Sequence, residues 1–155
     1  MNSDILSRIL VPYDGSKYSK LALSKAIDMA KKAKSKIDII SVINVDYIQP
    51  PGGLLGMVSP SSINAIKRIT DLAKKEALQM LESQVAKCRT KGIKADSKVL
   101  SGNITGEILK YAKLKKITLI VLGSQGLHGI QKLKILGSTS RKVAELASCP
   151  VLIVR

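Results

Sequence analysis

Three glycines, Gly123, Gly126 and Gly129, recur at three-residue spacing, and the stretch Gly137-Ser138-Thr139-Ser140 follows them. Glycine has no Cβ, so its backbone N–H can come close to an anion and can adopt the φ > 0 geometry of an N–H nest. A Gly-Ser helix start adds free N–H groups, a hydroxyl and the positive end of the helix dipole. The chemistry these residues could do together is phosphate binding. Ser124 and Gln125 lie inside the loop, between its first two glycines. No Gly-Lys-Ser/Thr follows at P-loop spacing. The dinucleotide fingerprint belongs after the first strand, and that position reads Pro12-Tyr13-Asp14-Gly15-Ser16.

Asp14 has two roles open to it. Its carboxylate can accept hydrogen bonds from ribose hydroxyls or hold a metal through phosphates. Asp-Gly-Ser is equally a turn and helix N-cap sequence. His128 sits inside the glycine loop, with no partner base in view, so no catalytic residue is assigned. Asp14, Lys132, Lys134 and Arg141 would support slow hydrolysis at most.

These residues need elements to hold them. Five short apolar runs read as strands: residues 8–13, 37–45, 95–100, 118–122 and 151–154. Three are near-continuous Val, Ile and Leu, as in strands buried on both faces of a parallel sheet. Helical patterns fill the gaps. One runs from Ser16 or Ser19 to Ala33. Another starts at the Ser59 N-cap with Pro60 at the first helical position and carries an apolar stripe through Ile63, Ile66, Ile69, Ala73, Ala77, Met80 and Leu81 to Gly92. Two more cover residues 105–113 and 138–147. The alternation predicts an α/β chain with a parallel sheet covered on both faces. Ligands of such sheets bind outside the carboxyl ends of the strands, where strand order reverses. Residues 46–59, rich in Pro and Gly and too long for an ordinary connection, read as a cover or a plain loop.

Six segments, taken in order, resemble the universal stress protein family. They are Ile9-Leu10-Val11-Pro12-Tyr13-Asp14-Gly15-Ser16, Ile40-Ser41-Val42-Ile43, Ser101-Gly102-Asn103-Ile104, Leu119-Ile120-Val121-Leu122-Gly123-Ser124-Gln125-Gly126, Gly137-Ser138-Thr139-Ser140 and Cys149-Pro150-Val151-Leu152-Ile153-Val154. The resemblance spans essentially the whole chain. It implies one doubly wound, Rossmann-like domain over residues 1–155, with a five-stranded parallel sheet in the order 3-2-1-4-5 and four helices. It implies ATP as ligand, with Mg or Mn, and a regulatory or stress-response role exercised through nucleotide binding. Pro12, Tyr13, Asp14 and Val42 would then lie near adenine and ribose. Gly123, Ser124, Gln125, Gly126, Gly129, Gly137, Ser138, Thr139 and Ser140 would surround the phosphates, mostly through backbone N–H groups. Two departures stand out. The stretch between Gly126 and Gly137 is one residue longer than in the ATP-binding members, and Thr118 stands where the family commonly has Asp. Slow ATP hydrolysis, or an interaction module with weak polyanion affinity and no nucleotide, are the alternative functions.

Bulk composition sharpens these expectations. The chain has 155 residues, a formal net charge of +15, 45 % hydrophobic residues and 3 % aromatics. The apolar fraction suits a single packed domain. The scarcity of aromatics counts against modules that stack bases. The lysines are spread over residues 31–36, 74–75, 110–116 and 131–142, mostly opposite apolar stripes, so specific nucleic-acid readout is not expected. Cys88 and Cys149 read as small hydrophobes, and one histidine makes no multi-His metal site. No signal-peptide pattern or membrane-length apolar run is present, so a cytoplasmic location without membrane contact is expected. The strand 151–154, followed by Arg155, would leave an apolar edge that a homodimer through Val151–Val154 would cover.

Overall fold

The computed structural model describes residues 6–44, 60–127 and 136–155. Nine elements alternate along the chain: β1 (Arg8–Pro12), α1 (Lys17–Ala33), β2 (Lys36–Ile43), α2 (Pro60–Thr90), β3 (Ala95–Ser101), α3 (Ile104–Leu114), β4 (Leu119–Gly123), α4 (Ser138–Leu146) and β5 (Val151–Val154). The strands form one parallel sheet in the order β3-β2-β1-β4-β5. The Ser59 cap and the stretch 46–59 fall outside the described residues.

The apolar runs are continuous because both faces of the sheet are covered. Ile9, Val11, Ile37, Ile39 and Val121 point towards α1 and α2. Leu10, Ile40, Ile120 and Leu122 point towards α3 and α4, where they meet Ile108 and Val143. Register ties the centre together: Ile9 lies between Ile37 and Leu119, and Leu10 lies next to Ile120.

The helices begin and end for local reasons. The Ser16 hydroxyl accepts from Ser19 N at 3.2 Å and caps α1, while Lys34 at φ 56° closes it. Asn103 Oδ1 accepts from Gly106 N at 2.9 Å and caps α3. Gly92 at φ 74° ends α2 in the left-handed turn that glycine tolerates.

The stripe of α2 is covered only in part. Ala77, Leu81, Val85 and Cys88 are buried against the sheet, but Ile63 and Ile69 are 54 % and 56 % exposed. The buried residues of α2 among those described all lie in its second half, from Ala77 onward. Cys88 is fully buried, and burial pushes its thiol pKa up, as it does for half-buried Cys149.

One polar cluster breaks the core at the amino ends of the strands. Asp38 is fully buried on β2. Arg8 Nε donates to its Oδ2 at 2.9 Å, and Arg8 Nη2 lies 2.7 Å from the same oxygen. The Tyr111 hydroxyl donates to that oxygen at 3.4 Å. Burial, reinforced by the Asp38 charge, pushes Tyr111 up to about 12. The folded protein therefore holds the Tyr111 proton where the unfolded chain loses it, and stability falls as pH rises from about 10 to about 12. Ultraviolet titration of tyrosinate should show a step near the top of that window that is missing in Tyr111→Phe. Loss of a step at the ordinary tyrosine pKa in Tyr111→Phe, with the high step kept, would contradict the buried pairing.

Candidate nucleotide site

In the order β3-β2-β1-β4-β5, β1 and β4 are neighbours whose following segments leave in opposite directions. That reversal opens a crevice at their carboxyl ends. Asp14 stands on the β1 side of it. Its Oδ1 accepts from Ser16 N at 3.0 Å, an Asx-type turn, and its Oδ2 accepts from Leu127 N at 3.1 Å. Ser16, not Asp14, caps α1. The carboxylate joins the turn after β1 to the glycine loop after β4.

The glycines of that loop differ in what they do. A Cβ on Gly126 would sit 2.8 Å from Asp14 Oδ2, so the bare backbone is what lets the loop close over the carboxylate. A Cβ on Gly123 would sit 2.6 Å from the Tyr18 carbonyl carbon and 2.9 Å from Ser19 N. Gly123 is thus a packing glycine, needed for β4 to lie against the first turn of α1. Gly129 and His128 lie outside the described residues, as do Lys132 and Lys134.

Ser124 is the joint between β4, β5 and α4. Its N–H donates to Val154 O at 2.8 Å, and its carbonyl accepts from Gly137 N at 2.8 Å. The buried Ser140 hydroxyl donates to Gly123 O at 2.8 Å and reaches Ser124 O at 3.3 Å. These bonds bring the start of α4 to the loop. Gln125 is buried beside them. The N-cap of α4 is Gly137, with φ −61° and ψ 153°, and no side chain caps the helix. Its first amides have no intrahelical partner, and unlike α1 and α3 it offers them no side-chain oxygen. Ser138 is exposed, Thr139 is half-buried, and both stand at this open end.

A sequence model of the Universal stress protein family matches residues 6–155. The chain belongs to this family. It is 37 % identical over 151 residues to the universal stress protein YxiE of Bacillus subtilis, covering 97 % of this chain and all of that one. Its fold matches universal stress protein UspA from Lactobacillus plantarum with a TM-score of 0.83 at 22 % identity, covering 97 % and 98 % of the two chains. It also matches a universal stress protein in complex with cAMP (TM-score 0.67, 21 % identity, 96 % and 97 % covered). A universal stress protein from Archaeoglobus fulgidus in complex with dAMP is a further match (TM-score 0.60, 19 % identity, 97 % and 98 % covered).

The remaining site residues of this universal stress protein are placed by β1 and β2. Pro12 ends β1, half-buried at the mouth of the crevice. Tyr13 is 3 % exposed and packs in the α1/α2 core, while its N–H donates to Ile40 O at 2.7 Å. Its ring therefore belongs to the core, and its backbone to the crevice wall. Its hydroxyl pKa is raised by burial and by the Asp14 charge. Val42 is half-buried on the other face of β2. Leu127, whose N–H reaches Asp14, escaped sequence reasoning because a backbone donor leaves no mark in side-chain type. Its place directly after Gly126 was the available signal. No group of three His, Cys, Asp or Glu able to hold a metal exists among the described residues.

Gly123→Ala should destabilise the unliganded protein by about 1–3 kcal/mol through overpacking against α1. Ser138→Ala, at an exposed position without a capping bond, should stay within about 0.5 kcal/mol. Urea denaturation checks both. Equal, small effects would show that Gly123 is not a packing contact.

Proposed function

We propose that the chain binds an adenine nucleotide, ATP with Mg or Mn, in the crevice between β1 and β4, and acts as a nucleotide-binding regulatory protein. The observation that carries this reading is the uncapped amino end of α4, tied by Gly137 N and the Ser140 hydroxyl to a glycine loop across from Asp14. Free amides at a helix start and glycine backbone suit a phosphate chain. Binding of cAMP and dAMP by structural neighbours points to the same ligand class.

Each residue then has a task. The N–H groups of Gly126, Gly129, Ser138, Thr139 and Ser140 would meet the phosphates. Gly123, Ser124, Gln125 and Gly137 would hold the loop and helix in place. Asp14 keeps unused lone pairs on both oxygens after its two backbone bonds and would take the ribose hydroxyls. Pro12, the Tyr13 backbone and Val42 would border the base. A divalent ion would arrive on the phosphates, since the described residues supply no ligand cluster of their own.

The sheet also supports a homodimer through Val151–Val154. β5 is an edge strand paired only with β4, and its four apolar residues are only half-buried. A twofold pairing would cover them. Light scattering should give twice the chain mass, and a monomer at micromolar concentration would contradict this.

Saturating ATP with magnesium should raise the melting temperature, NAD should not, and Gly126→Val should abolish the rise. Tight ligand at about a hundredfold excess over Kd stabilises by roughly 2.7 kcal/mol, a shift of a few degrees. No shift and no calorimetric heat with the wild type would end the nucleotide reading.

A further inference from the structure

The edge of the sheet away from the crevice gathers charge that the sequence scatters. Arg8, Lys36 and Lys115 are distant along the chain from one another and from Arg89, Lys94 and Lys98, which share one short stretch. Parallel strands place the amino ends of β1, β2 and β3 side by side, with Arg8 opposite Lys36 and Ile37 opposite Ala95. The same edge receives the carboxyl ends of α2 and α3, which deliver Arg89 and Lys115. Two hollows open there, of about 440 and 610 Å³, and both are lined by Arg89 and Asp96. All six cations line one or the other, against the two carboxylates Asp96 and Glu82.

Their pairing is incomplete. Arg8 is held from beneath by fully buried Asp38, and Lys36 by Asp96. The Lys36 hydrogen bond holds the Asp96 carboxyl below its usual range, and the charges of Lys36, Arg8 and Arg89 add to this. Arg89, Lys94, Lys98 and Lys115 make no ion pair among the described residues. The dipole ends of α2 and α3 give Arg89 and Lys115 a local reason to be there. That reason does not extend to Lys94 and Lys98, which lie before and on β3.

We propose that this edge is a second ligand site, which takes a linear oligophosphate anion laid across the two joined hollows. Arg8 is the fixed anchor, because the buried Asp38 orients its guanidinium before any ligand arrives. The lysines are mobile point charges without the planar fork that selects a single carboxylate, so they match a chain of phosphates. Nucleic acid fits less well. Tyr111 is the one aromatic lining the hollows and is only 7 % exposed, which leaves no stacking platform for bases. The site is distinct from the nucleotide crevice, about 13 Å away along the four steps of β1.

The test uses tripolyphosphate at constant ionic strength, followed by calorimetry in Gly126→Val protein, so that the crevice is blocked. Binding should persist there. Adding Arg89→Glu and Lys98→Glu, both at exposed positions, should weaken it by on the order of tenfold or more. Lys94→Glu with Lys115→Glu should do the same, and serves if the first pair disturbs the fold. Loss of binding in Gly126→Val alone would assign the anion to the crevice and overturn the proposal. So would unchanged affinity in both charge-reversed proteins, sulfate competing as well as tripolyphosphate, or a single-stranded oligonucleotide binding more tightly through Arg89 and Lys98.

Discussion

Asp14 accepts two backbone hydrogen bonds on one carboxylate, from Ser16 N in the turn before α1 and from Leu127 N in the loop after β4. These segments are far apart in sequence, and the sheet alone aligns their strands without fixing their loops. Hydrogen bonds to an ionised carboxylate are stronger than neutral ones, about 1.5–3 kcal/mol each. The contact also explains Gly126, since any side chain there would enter the space of Asp14 Oδ2. The shape of the crevice follows from that one bridge. Asp14 therefore has a task in the fold that needs no ligand.

Ser124 extends the same network to the rest of the domain. Through its N–H it is bonded to the end of β5, and through its carbonyl to the cap of α4. The Ser140 hydroxyl reinforces that joint. The edge strand, the glycine loop and the open helix start are therefore mechanically continuous. Under the proposed function, a ligand at the α4 amides would sit one hydrogen-bonded residue from the atoms that hold Val154.

The fold was legible because burial on both faces writes unbroken apolar runs, as in Leu119-Ile120-Val121-Leu122, and because Gly92 and Ser16 mark helix ends directly. Strand ends moved by a residue or two, since β1 stops at Pro12 and β2 at Ile43. Periodicity gives the apolar face of α2 but not which part of it is covered, and Ile63 and Ile69 in that stripe are exposed. At the crevice, the residue types were visible but not their division of labour. Gly123 reads as an anion-nest glycine in sequence, whereas its missing Cβ makes room for Tyr18 of α1. Arg8 and Asp38 were not singled out, although a lone carboxylate in the run Ile37-Asp38-Ile39-Ile40 asks for a buried partner. The cations of the opposite edge converge only through topology, which no local pattern reveals.

In the proposed function, the open start of α4 and the glycine loop receive a nucleotide's phosphates. Amide chemical shifts recorded while ATP and magnesium are added to isotope-labelled protein test it most directly. The Gly126, Leu127, Ser138 and Thr139 amides should move together and saturably, while amides along α2 stay in place. Shifts confined to the lysine-bearing surfaces, or no shift at saturating nucleotide, would contradict it.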